Sequence, residues 1–82
     1  MKVLKFEASW CGPCKMLSRV LEDMELSVEV TPIDIEANRD LAIEYAIRGV
    51  PTCVLLDDTG VEIRRQSGSM TEVQFSKFIN AE

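Results

Sequence analysis

Apolar residues in this chain fall in short runs whose spacing switches between two periods, and the switches mark out a series of elements. Val3 to Ala8 is a strand-like run. After Cys11 the period changes: Met16, Leu17, Val20, Leu21 and Met24 recur at the spacing of one helical face. Pro13 then stands in the first turn of that helix, where a missing N–H is harmless. Val28 to Ile35 predicts a second strand, broken by Pro32, and Asn38 stands as an N-cap for a helix carrying Leu41, Ala42, Tyr45 and Ala46 on one face. Thr52 to Leu56, opened by Val50-Pro51, is a third strand. It runs through the turn signal Asp57-Asp58-Thr59-Gly60 into a fourth strand, Val61 to Gln66. Thr71 and Gln74 have capping-box spacing, and Met70 and Phe75 occupy the positions of a hydrophobic staple. A last helix therefore starts there and buries Phe75, Phe78 and Ile79.

The predicted order is βαβαββα. Two strands joined by a helix are expected to run parallel with a right-handed crossover, and the short last connection makes an antiparallel hairpin. The expected fold is thus α/β, a four-stranded mixed sheet with helices on both faces. The second strand is placed at an edge, because proline cannot donate to a central ladder, and Glu29, Asp34 and Glu36 discourage edge-to-edge association. By strand alternation Val3, Lys5 and Glu7 share one face, which puts two charges where a covered sheet is ordinarily apolar.

Composition narrows the class. Eighty-two residues, 46% of them hydrophobic, amount to one small domain spanning 1–82, near the lower size limit for a single core. A net charge of −5 with no basic run argues against nucleic acid as a partner. There is no histidine, so a Cys–His hydrolase and any His-containing metal site are excluded, and three cysteines are too few for a four-cysteine metal site. No apolar stretch approaches the roughly 20 residues of a membrane span. The odd cysteine count, with two in a CxxC, points to redox chemistry rather than a secreted disulfide framework. The expected location is the cytoplasm, as a soluble protein and a monomer.

The candidate chemistry lies in Trp10-Cys11-Gly12-Pro13-Cys14-Lys15. Two thiols sit one helical turn apart directly after a strand. A cysteine at the mouth of a helix meets unpaired N–H groups and the positive end of the macrodipole, which stabilise its thiolate. Only the thiolate attacks a disulfide, so Cys11 is placed to be a nucleophile. Trp10 is expected at the rim of the site, shielding the disulfide and contacting partners, and Pro13 both starts the helix and tunes the dithiol. Cys53, in an apolar strand, is expected to be a buried structural residue. Leu17, Val20, Leu21 and Tyr45 are assigned to the core. Arg64 and Arg65, adjacent on a strand, are expected on opposite faces in solvated roles.

These residues resemble the thioredoxin family: Phe6, Ala8, the run Trp10 to Lys15, the Ile-Asp-Ile-Glu segment from Ile33, Tyr45, Ile47-Arg48-Gly49-Val50-Pro51-Thr52, Gly60 and Gly68. The resemblance implies a minimal thioredoxin fold and a thiol–disulfide oxidoreductase that reduces protein disulfides. In that cycle Cys11 is the attacking thiol, Cys14 the resolving thiol, and Pro51 a cis-proline facing them. Trp10, Gly12, Pro13, Ile35, Gly49, Val50 and Gly68 are implied to form the substrate groove. No bound cofactor is implied. The redox-active disulfide would be reduced by an external NADPH-dependent thioredoxin reductase or by glutathione.

Three departures from the family pattern stand out. The chain lacks the additional N-terminal strand and helix of thioredoxins of ordinary length, which brings its outline closer to glutaredoxins. Lys5 occupies the strand position of the family's buried aspartate, with Pro32 at its partner lysine position, and Glu7 stands where an aromatic residue is common. Lys5 has two readings: it lies beneath the site and favours a thiolate at Cys14, or it runs along the sheet to pair with an acidic residue. Two alternatives to protein-disulfide reduction are a glutaredoxin-like, glutathione-dependent disulfide reductase and a binding module whose redox state is incidental.

Overall fold

A computed structural model describes residues 1–80; Ala81 and Glu82, which the expected domain includes, lie outside the described residues. The elements are β1 (Lys2–Glu7), α1 (Gly12–Glu22), β2 (Glu29–Asp34), α2 (Arg39–Glu44), β3 (Thr52–Leu56), β4 (Glu62–Ser67) and α3 (Glu72–Asn80). β1 pairs parallel with β2 and antiparallel with β3, which pairs antiparallel with β4. The strand order is therefore β2-β1-β3-β4, with the Pro32 strand at an edge as the sequence predicts. All five residues of β3 are buried, the continuous apolar run of a strand covered on both faces.

Strand alternation divides the core in two. On one face Val3, Cys53 and Leu55 meet Leu17 and Leu21 of α1 and Phe75, Phe78 and Ile79 of α3. On the other, Leu4, Phe6, Ile33, Val54 and Leu56 meet the partly buried Leu41, Ala42, Tyr45 and Ile47 of α2 and its C-terminal flank. The capping box of α3 closes reciprocally: Gln74 N–H donates to Thr71 Oγ1 at 3.1 Å, and Thr71 N–H to Gln74 Oε1 at 2.9 Å. Met70 and Phe75, the two staple residues, are both buried in the first core.

Several expectations need correction. Asn38 occupies the N-cap position of α2 without a side-chain capping bond; its amide donates instead to Asp34 O at 3.0 Å. Ala46 is exposed rather than on the buried face, because α2 stops at Glu44. Ala46 adopts a left-handed conformation (φ 53°), its N–H bonds Ile43 O, and Ile47 N–H bonds Ala42 O, each at 2.9 Å. These are the two bonds of a Schellman termination, usually built on glycine. Met16 is 60% exposed despite its helical spacing, since the buried stripe of α1 runs through Cys14, Leu17 and Leu21. Val20 is half-buried rather than core; Tyr45 is half-buried but packs against the second core, its ring centroid 5.6 Å from that of Phe6.

Arg64 and Arg65 do take opposite faces, yet each has a structural partner. Arg64 Nη1 donates to Phe78 O in α3 at 2.6 Å, and Arg65 Nη1 donates to Tyr45 O at the end of α2 at 2.8 Å. Two neighbouring arginines of edge strand β4 thus satisfy carbonyls at the C-terminal ends of helices on either side of the sheet, where cations are favourable. Arg65 is itself oriented by a bidentate pair with Glu62, both contacts at 2.8 Å.

Candidate active site

The site forms where β1 hands the chain to α1. Cys11 is the N-cap residue, with extended backbone angles (φ −91°, ψ 109°). Its sulfur accepts the Cys14 N–H at 3.1 Å, one of the donors that the first helical turn leaves without a carbonyl. Pro13 removes another such donor altogether, so the sequence Cys-Gly-Pro-Cys starts the helix and directs an N–H at the first sulfur. Cys11 and Cys14 are joined in a disulfide, with Cα atoms 5.3 Å apart.

Both cysteines are buried, clustered with Ala8 and packed against the half-buried Ile35 and Val50. Three further chain segments converge there. Ile35 N–H donates to Glu7 O at 2.9 Å, prolonging the contact of the β2 end with β1. The Val50–Pro51 bond is cis, and Val50 O lies 3.7 Å from Cys11 Sγ. Gly68, with φ +90°, turns the end of β4 back so that its N–H reaches Pro51 O at 2.8 Å, a conformation that strains any residue with a Cβ. Thr52 Oγ1 donates to Gly49 O at 2.7 Å and ties down the approach to Pro51.

The residues singled out in the sequence are thus distributed around the disulfide in distinct ways. Ile35 and Val50 touch it, and Gly68 reaches it through Pro51. Trp10 is 66% exposed, a rim position, and Gly12, Pro13 and Gly49 are exposed. Thr52 and Ser18 are contributors that sequence reasoning did not single out. Ser18 carried a usable signal, since it follows Cys14 by four residues and so lies on the same helical face.

Lys5 is 4% exposed, on the sheet face that α1 covers. Its Nζ donates to Ser18 Oγ and pairs with Glu7 Oε1 at 2.7 Å. The pairing with an acidic residue is therefore present, and it is anchored one turn along α1 from Cys14. No buried side-chain nitrogen or oxygen among the described residues lacks a hydrogen-bond partner.

Cys53 is fully buried, as expected, and faces Lys5 across the β1–β3 pairing. Burial pushes its thiol up from 9.0 to about 12, with Lys5 opposing the shift and Glu7 adding to it. The unfolded chain therefore loses this proton at lower pH than the folded one. The stability associated with Cys53 is complete below about pH 9 and declines as pH rises towards 12, by about 1.4 kcal/mol per pH unit. Urea unfolding of the oxidised protein across that window is expected to show a steeper alkaline decline than in Cys53→Val; equal slopes would refute the assignment.

Among the described residues no group of three or more His, Cys, Asp or Glu is arranged to hold a metal ion. No helix among them is long and apolar enough to cross a membrane.

Comparison with known proteins agrees with this geometry. The thioredoxin family model matches residues 1–81. The thioredoxin of Pseudomonas aeruginosa is 34% identical over 83 aligned positions, covering 96% of this chain and 76% of the relative. The thioredoxin of Buchnera aphidicola is 35% identical, covering 95% and 74%. Among solved structures, a mutant thioredoxin from Halobacterium salinarum NRC-1 superposes with a TM-score of 0.89 at 36% identity, covering 98% of this chain and 72% of that one. A helix-capping cysteine pair, a facing cis-proline loop and these relatives together lead to one assignment: the chain belongs to the thioredoxin family and is a thiol–disulfide oxidoreductase.

Proposed function

We propose that the protein reduces disulfides in extended polypeptide segments, with Cys11 as nucleophile and Cys14 as resolving thiol. The observation that carries this reading is the position of Cys11 Sγ, which accepts an N–H of the α1 first turn while lying beside Val50 O. The N–H and the helix end favour negative charge on that sulfur. In the reduced protein the Cys11 thiolate attacks a substrate sulfur, forms a mixed disulfide and expels the other substrate sulfur as a thiolate. Cys14, having given up its proton, then attacks Cys11 Sγ, closing the Cys11–Cys14 bridge and releasing the second substrate thiolate. Two electrons pass to the substrate, whose two sulfurs take up two protons.

Trp10, Gly12, Pro13, Ile35, Gly49, Val50 and Gly68 form the substrate groove in this reading. Supporting it, Ile35 and Val50 pack on the cysteines, while Pro51 and its partner Gly68 hold the Val50 carbonyl beside Cys11. Lys5, buried and bonded to Ser18 one turn along α1 from Cys14, tunes the acidity of the dithiol. The protein acts as a single cytoplasmic domain and a monomer, regenerated by an NADPH-dependent thioredoxin reductase rather than by glutathione. The Gly-Pro pair between the cysteines supports that choice over a glutaredoxin-like cycle. Insulin reduction with NADPH, run with thioredoxin reductase or with glutathione and glutathione reductase, tests it. Turnover is expected in the first system alone and is lost in Cys11→Ser; turnover only with glutathione would overturn the reductase assignment.

A further inference from the structure

Glu7, the ion-pair partner of the buried Lys5, has no role in the cycle as described. α1 descends along β1, with Cys14 clustered on Ala8 and Ser18, one turn later, bonded to Lys5. Glu7 is the residue before Ala8. It is therefore level with this stretch of α1, and its carboxylate meets the Lys5 ammonium at 2.7 Å. A shallow groove between α1 and the β2 edge, lined by Lys5, Glu7, Ser18, Glu22, Val30 and Pro32, opens the pair to water. The lysine side chain is 6% exposed and the glutamate side chain 29%. One charge is thus sheltered and the other is within reach of solvent.

We infer that Glu7 is a positioning residue for the dithiol chemistry: it balances the charge of Lys5, so that the pair holds the acidity of Cys14 between two extremes. The inference rests on Cys14 being the resolving thiol. A cation near a thiol favours the thiolate and an anion disfavours it. With both charges present their effects on Cys14 oppose one another, and removing either one exposes the other. A single unbalanced charge about one helical turn away, at an effective dielectric of about 20, shifts a thiol by about two pKa units.

The other titratable groups facing the pair are few. Glu22 comes from α1 at the groove rim, and Cys53 comes from β3 opposite Lys5. Asp34 comes from β2 as the register partner of Glu7, and its Oδ1 accepts the Glu36 N–H at 2.8 Å. All three remain in every variant below, so they contribute a common background.

The test is a titration of both thiols in the reduced protein, followed by NMR of 13C-labelled cysteine, in four forms. Glu7→Gln, which keeps shape and removes charge, is expected to lower the Cys14 pKa by about two units. Lys5→Met is expected to raise it, by less, because the remaining glutamate is better solvated. The double variant is expected to return to within a few tenths of the wild-type value. Opposite signs in the single variants and recovery in the double are an electrostatic signature that loss of packing does not produce. An unchanged Cys14 in Glu7→Gln, or shifts of one sign in both single variants, would overturn the inference. If Lys5→Met does not fold, the sign in Glu7→Gln decides alone. Insulin reduction by the wild type, measured in parallel, separates failure of this inference from failure of the proposed function.

Discussion

Replacing Cys14 by serine is expected to turn the protein from a catalyst into a trap. In the native site Cys14 follows Cys11 by three residues on the same first turn of α1, with Cα atoms 5.3 Å apart. Its attack on a mixed disulfide at Cys11 is intramolecular, and well-oriented intramolecular reactions have effective molarities of about 10⁵ M or more. A serine hydroxyl cannot replace a thiolate at sulfur, so release would depend on external thiols at millimolar levels or below. Insulin turnover is expected to fall by at least about a thousandfold, and an adduct of protein plus substrate chain, cleaved by dithiothreitol, should accumulate in intact-mass spectra. Cys11→Ser is expected to be inactive without forming the adduct, because the sulfur that begins the exchange is gone. Trapping by Cys11→Ser and not by Cys14→Ser would reverse the two roles.

The largest effect on stability is expected at Phe75. Its ring is fully buried, 5.9 Å from the ring of Phe78, in the core that joins α3 to α1 and the sheet. Truncation to alanine removes the ring and leaves a cavity, a change of about 3–5 kcal/mol. For a chain of this length the whole folding free energy is roughly 4–12 kcal/mol. Phe75→Ala is therefore expected to lose roughly half of its folding free energy, read as a much lower urea midpoint in the far-UV circular dichroism. Met16→Ala, at a position 60% exposed on the other side of the first helix, is expected to change stability by no more than about 0.5 kcal/mol. Comparable losses at the two positions would mean that the core is not where the structure puts it.

Much of this architecture was legible because local rules and the final packing agree. The capping box at Thr71 and Gln74 closes as its spacing predicts, since both of its bonds form within one turn. Pro32 assigned β2 to an edge through a single missing donor. Cys11 could be placed at a helix mouth because Pro13 tolerates only the first turn of a helix.

The misreadings arise where a distant contact overrides local spacing. The end of α2 was missed because its Schellman bonds turn on Ala46, a residue that carries no glycine signal. Met16 fits a helical apolar period, but the sheet meets α1 along the line of Cys14, Leu17 and Leu21. Arg64 and Arg65 have exposed-strand chemistry in sequence, and their carbonyl partners are 14 and 20 residues away.

Reading the residues alone was enough for the order of elements, the strand at the edge, a cysteine at the head of a helix and the class of chemistry. These follow from periodicity and from residues whose backbone restrictions act over a turn or less. What surrounds the two sulfurs was set instead by the packed fold. It carried Val50, Ile35 and Gly68 to the site from three separate segments, and it chose Glu7 and Ser18 as the partners of Lys5. Such choices depend on which strand lies beside which and on where a helix crosses the sheet. Those relations come from burying the whole core at once, and spacing along the chain does not encode them.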